Sequence, residues 1–448
     1  MRGLRSFLLL LLVGVPIIGY AVYEYKREPV DADKKDKVFS GVASDQIEEL
    51  TIKSESGEQT TLKKNGMDWQ IAAPVSANGD GGEVSGITSG LANLEQQRLI
   101  DENPSDLAEY GLAQPRIEVA FKSGGQERRL QIGRKTPPGT DLYAKVASEK
   151  KVFLISSFLE GTFNKKTFDL RDKAVLKLER DKIDTLDVVT PQRTLQFTKA
   201  DGEWQLAAPV KARGDFTTID GLVSRLNTLQ MKSIVTEDPA RVAEYGFDKP
   251  QATVNIGSGS SRAVLLIGKT SPEEGSAGTV YAKDQSRPAV ITIEKTMLDD
   301  LTKDVAEYRQ KDLFDARAFN STRIDIVRGA ETFAFEKTKS KNKEGQDEEK
   351  WKQIAPAARD LDQTKVENLV SAITGSRATG FVDSTAKTGL DKPELTITVK
   401  FDGGKREEKT SFARTGSDGF ATRAGEPGAA KVDIAAIENI AKSLEALK

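Results

Sequence analysis

The sequence Trp69-Gln70-Ile71-Ala72-Ala73-Pro74 decides the fold, because the chain repeats it twice in nearly the same form. The two further copies are Trp204-Gln205-Leu206-Ala207-Ala208-Pro209 and Trp351-Lys352-Gln353-Ile354-Ala355-Pro356. These three segments contain all three tryptophans of the protein. An aspartate lies eleven residues after each tryptophan, at Asp80, Asp215 and Asp362. The recurrence predicts a protein built from three copies of one unit.

An amphipathic helix is predicted directly after each of these aspartates. Apolar residues follow at a spacing of three, four and three, which places them on one helical face. They are Val84, Ile87, Leu91 and Leu94 in the first copy, Ile219, Leu222, Leu226 and Leu229 in the second, and Val366, Leu369 and Ile373 in the third. Aspartate is a favoured N-cap, and Glu83 completes a capping-box pattern with Asp80.

Strands are predicted before and after each helix. Alternating residues precede the tryptophan, and Asn65-Gly66 and Asp201-Gly202 are typical hairpin turns. Each proline after a tryptophan ends its strand, because proline cannot donate a hydrogen bond to the sheet. The fold class is therefore α+β, with three tandem repeats of an antiparallel β-meander and a packed amphipathic helix. We further expect a closing helix from Phe158 to Leu170, and a disordered hairpin tip in the charged insert from Lys337 to Lys350.

The predicted domain order follows from the repeats and the N-terminal composition. It is an N-terminal anchor at residues 1–27, a charged linker at 28–37, and repeat domains at 38–172, 173–311 and 312–448, of which the last is divergent. A unit of about 135 residues has the size of an ordinary domain, so the repeats are domains and not turns of a solenoid.

The apolar N-terminal segment, residues 6–25, is predicted to be a transmembrane signal anchor. Its length matches the roughly 20 residues that cross a bilayer, and basic residues before it favour a cytoplasmic N-terminus. The alternative is a cleaved signal peptide, for which Gly19-Tyr20-Ala21 is a possible cleavage site. Both interpretations export the remaining chain. We expect a single-pass protein of the inner (cytoplasmic) membrane whose bulk lies in the periplasm.

The composition excludes several classes of function. Lys and Arg number 66 against 68 Asp and Glu, for a net charge of -2, so no basic surface for nucleic acid is expected. The chain has no cysteine and no histidine. It therefore lacks disulfides, thiolate metal sites, the commonest general base and most zinc chemistry. We predict no catalytic residue, no cofactor and no metal site.

The repeated residues have a functional and a structural interpretation. The tryptophans are candidates for a sugar-stacking platform, the aspartates for acid–base or metal ligands, and the Tyr-Gly pairs for a ligand cleft. Their positions favour a buried core, helix N-caps and the glycine that ends a helical turn. We interpret them as structural anchors, which are Trp69, Pro74, Asp80, Tyr110, Gly111, Trp204, Pro209, Asp215, Tyr245, Gly246, Trp351, Pro356, Asp362 and Gly389.

Four short motifs recur in a fixed order, namely W-x-x-x-x-P, Y-G-[LF]-x-x-P, [LI]-x-I-G and Y-A-K. The first copy carries them at Trp69/Pro74, Tyr110–Pro115, Leu130–Gly133 and Tyr143–Lys145, and the second copy carries their equivalents. This combination resembles the DUF4340 family of bacterial envelope proteins. The third copy departs from it, because it lacks the tyrosine before Gly389 and the Ile-Gly strand end.

The resemblance implies a function class but no chemistry. The family has no established activity, and similar proteins are usually membrane-anchored and often encoded beside ABC-type export systems of the gliding-motility class. We therefore expect a non-enzymatic interaction or scaffold protein, an accessory subunit of an ABC-type transporter complex. Two alternatives are a binding module for envelope glycan or peptide, and a carboxylate-dependent hydrolase with two facing acids in one repeat.

Overall fold

The computed structural model describes residues 36–137, 139–272, 278–341 and 347–448. These residues form three nine-stranded antiparallel sheets with the same strand order, which confirms the α+β class and the three repeats. The predicted anchor, residues 6–25, lies outside the described residues. Within the described ranges, no helix combines the length and the apolar character that a membrane span requires.

The elements of the three repeats correspond one to one along each sheet. The first repeat contains β1 (Ile47–Lys53), β2 (Gln59–Asn65), β3 (Asp68–Ala73), β4 (Ala77–Asn78), α1 (Gly81–Ala92), β5 (Arg98–Asp101), β6 (Ile117–Ser123), β7 (Gln126–Lys135), β8 (Asp141–Val146), β9 (Val152–Ser156), α2 (Glu160–Phe163) and α3 (Thr167–Leu170). The second contains β10 (Ile183–Val189), β11 (Thr194–Ala200), β12 (Glu203–Ala208), β13 (Ala212–Arg213), α4 (Phe216–Asn227), β14 (Ser233–Thr236), β15 (Ala252–Ser258), β16 (Ser261–Thr270), β17 (Thr279–Asp284), β18 (Val290–Glu294) and α5 (Lys295–Leu301). The third contains β19 (Ser321–Arg328), β20 (Glu331–Lys341), β21 (Asp347–Ala355), β22 (Arg359–Asp360), α6 (Gln363–Thr374), β23 (Ala378–Val382), β24 (Leu395–Phe401), β25 (Arg406–Thr415), β26 (Asp418–Arg423), β27 (Ala429–Val432) and α7 (Ile434–Glu445).

Each sheet is larger than the single meander expected from the sequence. The strand order of the first sheet is β4-β3-β2-β1-β6-β7-β8-β9-β5, so two meanders are joined by the pairing of β1 with β6. Helix α1 connects β4 at one edge with β5 at the other. A connection between opposite edges has to cross one face, and α1 therefore covers an inner face that becomes the core.

The inner face contains the residues that the periodicity predicted. Val84, Ile87 and Leu91 of α1 are 0% exposed and belong to the same apolar cluster as Trp69. Trp69, Trp204 and Trp351 are 8%, 1% and 3% exposed, respectively. The tryptophans are therefore core residues and cannot act as sugar-stacking platforms.

Each repeat helix begins at its aspartate. Asp80 Oδ1 accepts hydrogen bonds from the backbone N–H groups of Gly82 and Glu83 at 2.9 and 3.1 Å. Asp215 and Asp362 cap α4 and α6 in the same way. The capping box predicted for the first helix is wrong. The Asp80 N–H donates to Leu170 O at 2.8 Å, while the Glu83 carboxylate pairs with Lys165 Nζ at 2.7 Å.

Asp80→Ala is expected to lower the free energy of unfolding of the first unit by about 1 kcal/mol, because two N–H groups lose their acceptor. Native-state hydrogen exchange of the α1 amides measures the change in the first unit. Asp68→Ala is the matched control, since the exposed Asp68 side chain has no hydrogen bond or ion pair within the described chain. It should stay within about 0.5 kcal/mol of the parent. Equal losses in both variants would contradict the capping role.

Two predicted segments differ from the structure. The expected helix from Phe158 to Leu170 is divided into α2 and α3, because Asn164 at the end of α2 leaves the helical region at φ -86° and ψ 71°. Phe158 is also 92% exposed, so the segment has no continuous apolar face. In the charged insert, Lys337–Lys341 and Asp347–Lys350 continue β20 and β21 as a paired hairpin. Cross-strand pairing of lysines with acidic residues stabilises these strands, so the predicted disorder is wrong for the paired residues, while the tip itself, residues 342–346, lies outside the described residues.

The chain divides into two compact units, residues 1–173 and residues 174–448. The second unit contains the second and third repeats, joined by the segment Tyr308–Leu313, here called the connector. Tyr308 O and Gln310 N form backbone hydrogen bonds beside β13 in the second repeat. Lys311 O and Leu313 N bond to the start of β23 in the third repeat, over 2.7 and 3.1 Å. The connector thus hydrogen-bonds to both repeats within six residues.

Candidate functional site

The outer face of the first sheet, opposite the helices, is partly covered and partly open. A small apolar cluster around Tyr110 covers β8, β9 and β5. Over β2, β1, β6 and β7 the face is open and forms a depression with a volume of 620 Å³. We call this depression the outer groove. Its floor contains Thr51 and Ala120, and its two sides are the charged rows described below.

The floor of the outer groove consists of small, uncharged side chains on β2, β1 and β6 and of Arg129 on β7, which lies opposite Ala120. The antiparallel register places Thr51 opposite Thr61 on one side and opposite Ala120 on the other. The hydroxyl oxygens of Thr51 and Thr61 are 3.0 Å apart and share a hydrogen bond. The floor runs across the strands, whose spacing of about 4.8 Å gives it a length of roughly 15 Å from β2 to β7.

Alternating charges form the two sides of the outer groove. In the order β2, β1, β6, β7, one side contains Lys63, Glu49, Lys122 and Glu127. The other side contains Gln59, Lys53, Glu118 and Gln131 in the same strand order. Glu49 pairs with Lys63 at 3.6 Å and Lys53 with Glu118 at 3.3 Å. The two sides lie four residues apart along each strand, which is about 13 Å. This width admits one extended polymer chain between two rows of mixed charge.

The other two sheets do not repeat this arrangement. The register positions of Glu49, Thr51 and Lys53 are taken by Thr185, Asp187 and Val189 in the second sheet. In the third sheet they are taken by Arg323, Asp325 and Val327. A carboxylate thus replaces the threonine of the floor, and a valine replaces the lysine of the side. The outer groove is a property of the first repeat.

The recurrent motifs meet beside the outer groove, on the covered half of the face. The rings of Tyr110 and Tyr143 lie 5.2 Å apart, and those of Tyr245 and Tyr281 lie 4.8 Å apart. A Cβ atom on Gly133 would lie 2.1 Å from the carbonyl oxygen of Tyr110. The second repeat has the same 2.1 Å approach at Gly268. The Tyr-Gly turn therefore packs directly on the Ile-Gly strand end, and the glycine permits this approach.

The lysine of each Tyr-Ala-Lys motif is bonded to the next turn. Lys145 is 7% exposed, and its Nζ donates to the carbonyl oxygens of Val146 and Ala147 at 3.3 and 3.4 Å. Lys283 donates in the same way to Arg287 O and Pro288 O. Burial lowers the pKa of both lysines. The motif residues form a closed structural cluster, so the alternative of a ligand cleft at the Tyr-Gly pairs is not supported.

The three repeated aspartates occupy the same structural position, each in its own repeat. Each one caps the helix of its own repeat, as described above. Among the described residues, no group of three or more acidic side chains has the geometry to hold a metal ion. The third repeat also changes the motif cluster, with Ala413 on β25 at the position of Gly133 and Phe420 on β26 at the position of Tyr143. Its shortened Gly389 turn leaves room for the added methyl group.

Sequence reasoning missed a buried charge cluster where the second repeat meets the third. Arg213 of β13 donates from Nε to Glu426 Oε1 at 2.7 Å and from Nη2 to Asp312 O at 2.7 Å. Its Nη1 contacts the carboxylate of Asp315. Burial disfavours the charged guanidinium, but Glu426 and Asp315 outweigh burial and raise the pKa of Arg213. Arg213 therefore bonds across the junction of the repeats.

Two acids face each other in this junction cluster. Glu408, 5% exposed, accepts hydrogen bonds from the backbone N–H groups of Asp315 and Ala316. Burial raises the pKa of Glu408. Burial opposes ionisation of Asp315 as well, but Arg213, Glu408 and Arg423 together outweigh burial and lower the pKa of Asp315. Arg423 Nη2 donates to Glu408 at 2.9 Å. Arg213 contacts Asp315 and Arg423 contacts Glu408, so the cluster joins the second repeat to the third.

The outer groove and the connector each have a signal in the sequence, whereas the charge cluster around the connector has none. Strands β1 and β6 contain Glu49-Leu50-Thr51-Ile52-Lys53 and Glu118-Val119-Ala120-Phe121-Lys122, the same order of acid, small residue and lysine. Antiparallel pairing of two such strands places an acid against a lysine at both ends. The connector contains Tyr308-Arg309-Gln310-Lys311, and the end of the first repeat contains the similar Leu170-Arg171-Asp172-Lys173.

Fold and sites together define a class of protein. It is a tandem α+β repeat protein whose recurrent motifs stabilise each sheet and whose open polar groove lies on one repeat. A model for the domain of unknown function DUF4340 matches residues 69–205 and 204–393. The chain belongs to the DUF4340 family.

Comparisons with other known proteins add no functional assignment. No curated protein matches the chain. Among solved structures, the chain is similar to the DNA polymerase III subunit beta from Pseudomonas aeruginosa, with 9% identity, coverage of 89% of this chain and 93% of that chain, and a TM-score of 0.17. The DNA polymerase sliding clamp from Pseudomonas aeruginosa with ligand has the same identity and coverage and a TM-score of 0.15. Scores this low support no argument about fold or function.

Proposed function

We propose that the protein is a non-enzymatic interaction subunit that binds a partner polypeptide in the outer groove of its first repeat. The observation that carries the proposal is the outer groove itself, a depression of 620 Å³ with charged sides and a floor that is uncharged except for Arg129 at its β7 end. A partner segment with small side chains toward the floor and both charge signs toward the sides fits it. Complementary charges give such contacts specificity and faster association.

The location and the partner class come from the sequence and the family resemblance. Residues 6–25 anchor the chain in the cytoplasmic membrane, and the repeats lie on the periplasmic side. The partner is a subunit of an ABC-type export complex of the gliding-motility class. The first repeat follows the anchor most closely in the chain, so its groove is well placed for a partner that is itself held at the membrane.

Photo-crosslinking from the floor of the outer groove tests the proposal. A photoreactive amino acid at Thr51 in the full-length, membrane-bound protein is expected to capture subunits of the transporter, identified by mass spectrometry. The matched control is Asp187, which has the same register position and a similar partial exposure in the second sheet. It should capture the same subunits at least about tenfold less. Equal capture from both positions, or capture of cell-wall material alone, would overturn the proposal.

Charge reversal at one side of the groove provides a second test. Lys122 is exposed and forms no ion pair with the described residues, so its charge is free to meet a partner. Lys122→Glu is expected to reduce recovery of the partner about threefold to tenfold, because like charges then meet at the interface. Lys405→Glu, at an exposed turn of the third repeat, makes the same charge change away from the groove. It should leave recovery unchanged, and a loss that is equal in both variants would contradict a specific role for the groove.

A further inference from the structure

The first repeat has a second depression, which lies on the helical side of the sheet and not beside the outer groove. It has a volume of 410 Å³ and lies between α1 and the segment Phe158–Lys165. Gly82, Gly86 and Gly161 line it, and a Cβ atom on Gly86 or Gly161 would meet no atom within 4 Å. The Phe158 ring borders the depression and is 92% exposed. We call the depression and this ring together the α1 patch.

The corresponding surface of the second repeat is filled. Arg225 of α4 takes the place of Gly90, ten residues after the capping aspartate. Its guanidinium contacts the carboxylate of Asp300 and donates to Thr296 Oγ1 at 3.3 Å. The strand register shows that Thr296 takes the place of Phe158. An exposed aromatic ring beside an open depression therefore distinguishes the first repeat from the second.

The third repeat covers its helix in another way. Its closing helix α7 contains twelve residues and packs on α6, whereas α2 of the first repeat contains four. Ala435 takes the place of Phe158, and Asn368 takes the place of Gly86. A single exposed apolar side chain is common on protein surfaces, but an aromatic ring beside an open depression indicates a contact surface. This surface belongs to the first repeat.

The depression is large enough to receive a phenyl ring. A closed apolar cavity of about 150 Å³ holds a benzene molecule, and the depression has a volume of 410 Å³. With 92% of its surface exposed, the Phe158 ring lies outside the depression of its own chain. The α1 patch therefore presents both halves of a contact, namely a projecting ring and a space for a ring.

The charges around the α1 patch are self-complementary as well. Glu83 pairs with Lys165 at 2.7 Å, and Asp80 lies 3.9 Å from Lys173. The acids lie at the start of α1, and the lysines lie on the segment opposite it. A two-fold rotation exchanges the two sides, so the acids of one copy face the lysines of another. Contact between two copies is therefore not opposed by like charges.

We propose that two copies of this chain associate through the α1 patch about a two-fold axis, with Phe158 of each copy inserted into the depression of the other. An interface of this kind uses the same surface on both copies. An aromatic side chain that fills a pocket is the usual anchor of such a contact. The association leaves both outer grooves open, because α1 and the outer groove lie on opposite faces of the first sheet. The dimer thus offers two grooves to partners.

Photo-crosslinking from position 158 tests the proposal. Phe158 is replaced by p-benzoylphenylalanine, which keeps an aromatic ring, in the full-length protein purified in detergent. Irradiation is expected to give a covalent dimer of twice the mass of one chain, in which mass spectrometry locates the crosslink within residues 81–90. The same photoreactive residue at Thr296 is the matched control, and it should give at least about tenfold less dimer. Crosslinks that occur only within one chain, including those to residues 1–35, would overturn the proposal.

Sedimentation equilibrium provides a second test that uses folded variants. Gly86→Gln places a polar side chain in the depression, and it should raise the Kd of the dimer at least about tenfold. Gly221→Gln makes the same change in α4, where a Cβ atom also meets no atom within 4 Å, and it should leave the Kd unchanged. Glutamine favours a helix over glycine, so both variants should fold. Phe158→Thr, which introduces the residue type of the second repeat, should weaken the dimer as Gly86→Gln does.

Two results would contradict the dimer in this experiment. One is a parent protein that remains monomeric at every concentration up to about 0.1 mM. The other is an equal Kd for the parent protein, Gly86→Gln and Phe158→Thr, which would show that the copies associate through a different surface.

Discussion

Arg213→Ala is expected to lower the free energy of unfolding of the second unit by about 3–5 kcal/mol, the usual cost of removing one partner from a buried ion pair. The substitution leaves the carboxylates of Asp315 and Glu426 without their nearest cation, and the carbonyl oxygen of Asp312 without its donor. The loss exceeds the value of a single hydrogen bond, because Asp315 and Glu426 keep only the longer contacts to Arg406, Arg423 and Arg309, at 3.2–3.9 Å, and cannot regain their full hydration.

Hydrogen exchange can locate this effect within the second unit. The amides of Leu313 and Ala378 close the connector onto the third repeat, so their protection should fall in Arg213→Ala before that of the core strands does. Urea denaturation gives the total change in the free energy of unfolding. Arg180→Ala is the control, because Arg180 pairs with Asp220 at 2.6 Å but its side chain is 46% exposed. That pair should contribute at most about 1 kcal/mol. A small and equal effect of both substitutions would show that the junction cluster does not join the repeats.

Gly133→Ala is expected to destabilise the first unit by roughly 3 kcal/mol, at the upper end of the range for overpacking. The added Cβ atom would lie 2.1 Å from Tyr110 O, which is backbone and cannot rotate away. Either the Tyr-Gly turn must leave the sheet or β7 must shift. Urea denaturation measures the loss, and reduced protection of the Leu112 amide, which bonds to Leu107 O, would show that the turn has opened.

Gly86→Ala is the matched control for this substitution, and it should have the opposite sign. Gly86 lies within α1, and a Cβ atom placed there meets no atom within 4 Å. Alanine in a helix is about 0.5–1 kcal/mol more favourable than glycine, so this variant should be slightly more stable than the parent. Gly268→Ala should reproduce the loss in the second repeat. If Gly133→Ala were as stable as the parent protein, the motif cluster would accommodate the added methyl group without a loss of stability.

Local patterns predicted much of this fold. The three tryptophans, the capping aspartates and the helix periodicity depend on residues close together in the chain, and the core of every repeat follows from them. The strand order could not be predicted from local patterns, because β1 pairs with β6 although a helix lies between them in the chain. The capping box failed for a similar reason. Leu170, 90 positions along the chain, takes the Asp80 N–H that Glu83 was expected to receive.

The two sites depend even more on distant contacts. Thr51 and Ala120 are 69 positions apart, and only the register of β1 with β6 makes them one floor. Arg213 and Glu426 are 213 positions apart and belong to different repeats. Residue types gave no warning of the junction cluster, since arginines and glutamates are common on any surface. Their burial, and not their identity, marks them.

The position of the motif cluster has a consequence for how relatives of this protein should be compared. The tyrosine, glycine and lysine of the family motifs form the motif cluster, in which the Tyr-Gly turn packs on the end of a strand. A relative can retain the whole motif cluster and still contact an unrelated partner, because none of these residues faces the outer groove. Membership of the family therefore predicts the fold of a relative. Under the function proposed above, partner choice depends on the three outward positions on β1 and the three opposite them on β6, where the sequence can vary without disturbing the motif cluster.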